Sequence, residues 1–335
     1  MKQASVGRAE LLLLAGSVGV VLLALVVAEM GLRWINPHRL DRREAGQQVY
    51  SEWYGWENRR GFAGPLHDAL TTVDSSGRRS PGRVTRESGP RPRVVMLGDS
   101  ITFGSAVGDE ETFCALMGPR YDVVNLGVEG YGTDQELLKL EREGLACHPD
   151  VVVLNFTVAN DIWNVRSRFD DVTRLPKPYF TLVGGAPVLH REHLQRSPFG
   201  RVEQWISDYS QLYDLLRPLL PERTALAESH PLGWKEGLRL AVALISRMQA
   251  DTAAAGARFV VVLHPDQATF ERRSSVVESL RPRLESAGVT VATSLADTYR
   301  GSGLPYDRIA RDYAGHLTPL GHRMAAEEIE RVLAR

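Results

Sequence analysis

The apolar run Val94–Leu97 stops abruptly at Gly98-Asp99-Ser100, and that break constrains the chain more than any other stretch. An uninterrupted apolar run bounded by a turn is the pattern of a strand buried on both faces. Similar runs recur at Asp122–Leu126, Val151–Phe156, Phe259–Leu263 and Val289–Ala292. Helical stretches lie between them, at Glu111–Met117, Thr133–Ala146, Trp234–Ala255 and Ser274–Ser286. Thr133-Asp-Gln-Glu136 has capping-box spacing, Gly256 is a natural helix stop, and Thr318-Pro319 opens a last helix with Leu320, Met324, Ile329 and Leu333 on one face. Strands that alternate with helices predict one parallel sheet covered on both sides, a three-layer α/β/α domain. A serine just beyond the carboxyl end of such a strand sits where open α/β sheets place their ligands, and it becomes a nucleophile if a base lies within reach.

The N-terminus makes a separate demand. Leu11 to Ala28 is almost unbroken apolar sequence, close to the minimum that spans a bilayer as a helix. Val26 and Ala28 satisfy the small-residue rule of a cleavable leader, but the run exceeds a usual leader core, so an uncleaved anchor is expected. Arg33, Arg39, Arg42 and Arg43 follow the run while only Lys2 and Arg8 precede it, which by charge counting favours a cytoplasmic C-terminal domain. A short tail ahead of a large domain favours the opposite orientation. Export is the expectation: a single-pass protein of the cell membrane with its main domain periplasmic or extracellular.

Residues 44–92 are rich in Gly, Arg, Ser and Pro and read as a stalk and irregular segment, with one short strand at Leu70–Val73. Trp53, Tyr54 and Trp56 are expected to pack on the main domain. Residues 163–231 form a long insertion carrying Trp163, Phe169, Tyr179, Phe180, Phe199 and Trp205, read as a cap over the substrate site. A formal net charge of -1 leaves no basic excess to neutralise phosphates, so nucleic acid is not expected as a partner. Cys114 and Cys147 make no disulfide framework and no zinc spacing; they are either buried thiols or one bridge. His190 and His193 form an HxxH outside any helical pattern, and no metal is expected there.

Three further stretches fall at strand ends: Asn125-Leu-Gly-Val-Glu-Gly130, Asn160-Asp161 and Asp312-Tyr-Ala-Gly-His316. In a parallel sheet these ends share one edge, so Ser100, Gly130, Asn160 and His316 can converge. With Gly98-Asp99-Ser100 and His316-Leu-x-x-x-Gly-His322 in the same order, the chain from about Arg93 to its end resembles the SGNH hydrolases, the GDSL esterase/lipase superfamily. The resemblance implies a flavodoxin-like sheet, Ser100 as nucleophile and His316 as its general base. It implies an oxyanion hole built from the backbone N–H of Ser100, the N–H of Gly130 and the side-chain amide of Asn160. No cofactor is implied.

Two positions depart from the family. Ala159 stands where glycine is usual, and Tyr313 occupies the position of the acid three residues before the histidine. Asp312 lies four before, and a loop absorbs one residue, so Asp312 is assigned as the orienting acid with Asp307 as fallback. Asp99, Asn125 and His322 are read as structural, and His264 as a neighbour without a motif. The chain then divides into an anchor with its flank (1–43), the stalk (44–92) and an SGNH hydrolase-like domain (93–335). The expected function is a serine esterase acting on acyl, mainly short-chain O-acetyl, esters of a glycan or lipid. The alternatives are an O-acyltransferase that modifies a cell-surface polysaccharide, or an inactive binding and assembly protein.

Overall fold

A computed structural model of the chain describes residues 8–35, 47–67, 69–80, 91–158, 160–169, 176–191, 210–216, 232–274 and 276–335, with 194 and 206 as single residues. Two compact units emerge: Gly46–Arg196 with Ser229–Arg335, and Met1–Ala45 with Ser197–Glu228.

In the larger unit, four short strands come first: β1 (Gln48–Ser51), β2 (Gly55–Asn58), β3 (Ala63–Leu66) and β4 (Ala69–Thr72). They pair as two antiparallel hairpins inside the segment expected to be irregular. Tyr54 and Trp56 are buried there. The central sheet follows, from β5 (Arg93–Leu97), β6 (Asp122–Asn125), β7 (Val151–Thr157), β10 (Arg258–His264) and β11 (Val291–Ser294). A third hairpin, β8 (Tyr179–Val183) and β9 (Ala186–His190), lies in the insertion.

The five sheet strands are all parallel and lie in the order β11-β10-β7-β5-β6. Counted in chain order this is 2-1-3-4-5, the flavodoxin-like arrangement, with its switch point between β5 and β7. Strand residues alternate between two cores because side chains alternate across a pleat. Val95, Leu97, Val152, Leu154 and Val261 pack against the Trp234–Ala254 helix on one face. Val94, Met96, Val153, Val260 and Val262 pack on the other with Ala325 and Ile329 of the Pro319–Leu333 helix. Every residue of β7 is buried, as a central strand covered on both faces requires.

Several element boundaries differ from the sequence reading. The fifth sheet strand begins at Val291 because the N–H of Val289 bonds the Leu284 carbonyl and so completes the end of the Val276–Ser286 helix. The helix from Thr133 is α-helical only to Lys139, then continues as a π turn (Leu140–Gly144) and a 3₁₀ turn (Leu145–Cys147). Its cap is Gly132, one residue earlier than the spacing suggested: Gln135 reaches back so that its Oε1 accepts the Gly132 N–H at 3.3 Å. Cys114 and Cys147 are both buried free thiols.

The smaller unit contains a 28-residue helix, Arg8–Ile35, and the short Gln211–Leu216 helix. Ala15–Ile35 reaches a mean hydropathy of 2.1 and has no fully buried residue in its most apolar stretch, so it is a candidate membrane span. Phe199, Trp205, His193 and Ala159, all weighed from sequence, lie outside the described residues.

Candidate active site

Ser100 lies just beyond β5, after Gly98 and Asp99, and opens the short Ser100–Phe103 helix. Asp99 forms that turn: fully buried, it accepts the Ile101 N–H at 2.9 Å. Asn125 braces the neighbouring loop, donating to the Thr102 carbonyl at 2.8 Å and accepting the Gly127 N–H at 2.9 Å. The serine is therefore held on a turn whose polar groups are already paired.

His316 approaches from the loop before the last helix, and its Nε2 lies 2.8 Å from Ser100 Oγ. Its Nδ1 lies 2.6 Å from Asp312 Oδ2. A carboxylate at Nδ1 fixes the tautomer with the proton on Nδ1, which leaves Nε2 free to accept the serine proton. The other Asp312 oxygen, Oδ1, accepts the backbone N–H groups of Ala314, Gly315 and His316 at 3.1 to 3.2 Å. That local turn explains how an acid four residues before the histidine reaches it. Gly315 makes the turn possible: its φ is +103°, and a Cβ there would lie 2.8 Å from the Pro265 carbonyl oxygen. Tyr313, at the family's usual acid position, is 79% exposed and turned to solvent. Asp307 sits on the exposed side of the Tyr306–Ile309 helix.

The charges support this polarity. Burial works against the Asp312 carboxylate, yet the bond and charge of His316 and the backbone amides hold it below its ordinary range. Burial lowers His316, but the hydrogen bond and charge of Asp312, with Asp99 and Glu129 behind, raise it overall.

Asn160 begins the Asn160–Asn164 helix after β7. Its Nδ2 donates to Asp99 Oδ2 at 2.6 Å, and its Oδ1 accepts from Asn164 Nδ2 at 3.3 Å. The amide is thus oriented from both sides, with a second hydrogen on Nδ2. Asn164 also donates to the carbonyls of Gly130 (3.3 Å) and Tyr131 (3.2 Å), tying the Gly130 loop to the Asn160 helix. Gly130 has φ +79°, the left-handed region that glycine adopts without strain. The first hairpin braces the same loop from outside: Gln48 Nε2 and Trp56 Nε1 each donate to the Glu129 carbonyl at 2.9 Å.

Sequence reasoning gave His264 a place beside the site but no role, and it missed a second feature. His264, at the end of β10, is fully buried, and its Nε2 lies 3.1 Å from the Gly315 carbonyl. Burial drives it down to about 4, so the ring is neutral and Nε2–H is the donor. It supports the loop that carries His316, and no motif marks it. The second feature is the fully buried polar run Thr133-Asp-Gln-Glu136. Asp134 forms an ion pair with Lys177, both buried, and Gln135 Nε2 donates to the Tyr54 carbonyl at 2.8 Å. A cap-like polar run is expected at a surface, and only the burial of its neighbours betrays its place. His322 is also buried, its Nδ1 accepting the Phe113 N–H at 3.1 Å, so it serves packing. Among the described residues, no group of three or more His, Cys, Asp or Glu side chains is arranged to hold a metal ion.

Comparison with known proteins completes the picture. Solved structures similar to the chain include LAE5, an alpha/beta hydrolase enzyme from the metagenome of Lake Arreo, Spain (16% identity, 72% of this chain and 95% of that one, TM-score 0.42). They also include the acetyl xylan esterase AlAXEase (15%, 72% and 99%, 0.43) and a variant of Axe2, an acetyl-xylooligosaccharide esterase from Geobacillus stearothermophilus (16%, 73% and 94%, 0.41). No curated protein matches. The GDSL-like Lipase/Acylhydrolase family matches residues 96–324, which run from β5 through the loop of His316 into the last helix. The chain belongs to that family of ester-hydrolysing enzymes.

Proposed function

We propose that the protein is a serine esterase that works through an acyl-enzyme on Ser100. The observation that carries this reading is the hydrogen-bonded line from Ser100 Oγ through His316 to Asp312, 2.8 and 2.6 Å long. As the Ser100 oxygen bonds the ester carbonyl carbon, its proton passes to His316 Nε2, and Asp312 stabilises the imidazolium. The carbonyl oxygen takes the negative charge and is met by the N–H groups of Ser100 and Gly130 and the Asn160 amide. Each such donor contributes roughly 3 kcal/mol in sites of this kind. Collapse breaks the ester C–O bond, and His316 returns the proton to the leaving alcohol. Water then bonds the acyl carbon as His316 takes its proton, and the Ser100 Oγ–acyl bond breaks while His316 returns that proton to Ser100 Oγ, which releases the acid.

Family resemblance supports a short acyl group on a glycan or lipid as the substrate. The Arg8–Ile35 helix acts as a retained membrane anchor in this reading. Its Glu29 supports retention: it accepts the Ser210 hydroxyl at 2.9 Å and the N–H groups of Gln211 and Leu212 at 3.0 and 2.9 Å. A carboxylate in an apolar helix needs such partners.

The test uses the full-length protein in detergent with a p-nitrophenyl ester series and a fluorophosphonate probe. Turnover and labelling are expected, both abolished in Ser100→Ala, with a preference for the acetyl ester. A folded protein that neither turns over nor takes the probe at Ser100 overturns the reading. Turnover that appears only with a sugar acceptor converts it to acyl transfer.

A further inference from the structure

We propose that Gln48 and Trp56 are positioning residues for the reaction: together they hold the Glu129–Gly130 peptide in the orientation that aims the Gly130 N–H at the ester oxygen. The proposal rests on the esterase reading, in which that N–H is an oxyanion donor. Both residues belong to the first hairpin and lie outside residues 96–324, the part of the chain that matches the family.

Gly130 sits in a four-residue turn. The Tyr131 N–H bonds the Val128 carbonyl at 3.2 Å, which makes Glu129 and Gly130 the two central residues. Gly130 has φ +79°, whereas Glu129 keeps a negative φ. A positive φ at the second central position alone is the mark of a type II turn, and glycine takes it at little cost. Type I, the commoner form, can close the same four residues with the same hydrogen bond. The two forms differ by a rotation of roughly 150–170° of the peptide between the central residues. That peptide is planar and trans, so its C=O and N–H point in opposite directions. A flip to type I would therefore turn the Gly130 N–H away from its present direction and put the Glu129 carbonyl oxygen in its place, where it would repel an oxyanion.

The selection between the two forms is made at the carbonyl. Gln48 Nε2 and Trp56 Nε1 each donate to the Glu129 oxygen at 2.9 Å, which uses both of its lone pairs. A flip would break both bonds, and Trp56 is only 2% exposed, so its indole N–H would be left buried without an acceptor. Strand pairing sets Gln48 opposite Asn58 and Tyr50 opposite Trp56, so these side chains share one face of the hairpin. Asn58 uses that face too, donating to the Gly127 carbonyl at 3.1 Å. The Tyr131 hydroxyl returns a bond to the Trp56 carbonyl at 2.7 Å, which fixes the hairpin against the turn. Beyond Gly130 the next carbonyl is held as well, by Asn164 Nδ2 at 3.3 Å. Among the described residues the Gly130 N–H itself has no hydrogen-bond partner, so the held peptide presents a donor that is left for substrate.

The test uses the full-length protein in detergent, with Gln48→Met, Trp56→Phe and the double variant. Carbon-13 at the backbone carbonyl of glutamate, with nitrogen-15 in glycine, marks only peptides in which Gly follows Glu: Glu129–Gly130, Glu143–Gly144 and Glu236–Gly237. Glu129→Asp identifies the first of these resonances by removing it. Each variant is expected to move the Gly130 resonance while that of Gly237 stays in place. Hydrolysis of p-nitrophenyl acetate is read per Ser100, counted by fluorophosphonate labelling carried to completion, so that misfolded protein drops out of the rate. On that basis the double variant is expected to lose about 10²-fold in kcat with KM changed less than about twofold, as when one oxyanion donor is removed. A folded double variant whose Gly130 resonance stays, or whose kcat per Ser100 equals that of wild type, overturns the proposal. A loss confined to the number of labelled sites overturns it too, because that is the mark of a role in folding alone. Gln48 is only half-buried, so Gln48→Met decides by the same two readouts if the Trp56 variants fail to fold. The resonances do not depend on Ser100 chemistry. A wild-type protein without Ser100-dependent turnover would therefore refute the esterase reading, while the Gly130 resonance would still decide whether the hairpin holds the peptide.

Discussion

At the scale of single residues, Asp312 is the most informative side chain. One oxygen orients His316 and the other closes the turn that brings the histidine to Ser100, so one carboxylate sets both tautomer and position. In the proposed mechanism His316 must be neutral to accept the serine proton, and Asp312 raises its pKa by favouring its charged form. Activity therefore rises with pH through a midpoint above the ordinary imidazole value of about 6.5. Asp312→Asn removes that charge and permits the wrong tautomer. We expect kcat/KM to fall about 10³- to 10⁴-fold and the midpoint of the remaining activity to move to lower pH. A pH–rate profile of both proteins checks the direction: a midpoint that stays in place would show that Asp312 does not set the ionisation of His316.

At the scale of elements, the order of strands and helices could be read from sequence because buried parallel strands are apolar throughout. Val151–Thr157, covered on both faces, is the plainest instance. The strand ends also placed Ser100, Gly130, Asn160 and His316 at one sheet edge, since chain order and parallel pairing leave little choice. The polar supports were harder to see. Thr133-Asp-Gln-Glu136 carries the composition of an exposed helix start, and its burial follows from tertiary cover by the first hairpin and the insertion. Asp134 and Lys177 are 43 residues apart, and nothing local links them. That pair makes a prediction about stability. Lys177→Met leaves a carboxylate buried without its cation, which costs about 3–5 kcal/mol in comparable cases. A clearly lowered Tm is expected, with much of it regained in the Asp134→Asn/Lys177→Met double variant. Equal losses in the single and double variants would mean that the pair is not coupled.

At the scale of the whole molecule, the question is whether the apolar helix is a removable leader or part of the working protein. Twenty-eight helical residues extend roughly 42 Å at about 1.5 Å per residue, enough to cross a hydrocarbon core of about 30 Å. A leader needs only to be apolar and to end in small residues, and Val26 and Ala28 meet that rule. Glu29 follows at once, and leaders have no use for a carboxylate that meets a distant helix. Here it receives the first two N–H groups of the Gln211–Leu216 helix, where a negative charge is favoured. Arg33 bonds it from the next turn at 2.7 Å. Cleavage after Ala28 would turn Glu29 into a free N-terminus and place an ammonium beside those same N–H groups, replacing attraction with repulsion. Retention keeps the apolar helix in one unit with the Ser197–Glu228 part of the insertion, so the candidate span and that part fold together. The mature protein is therefore expected in the membrane fraction, resistant to alkaline extraction, with an intact mass near the 37.1 kDa of the whole chain. A soluble product beginning at Glu29 would mean that the helix is a leader and that its contacts with the insertion do not persist.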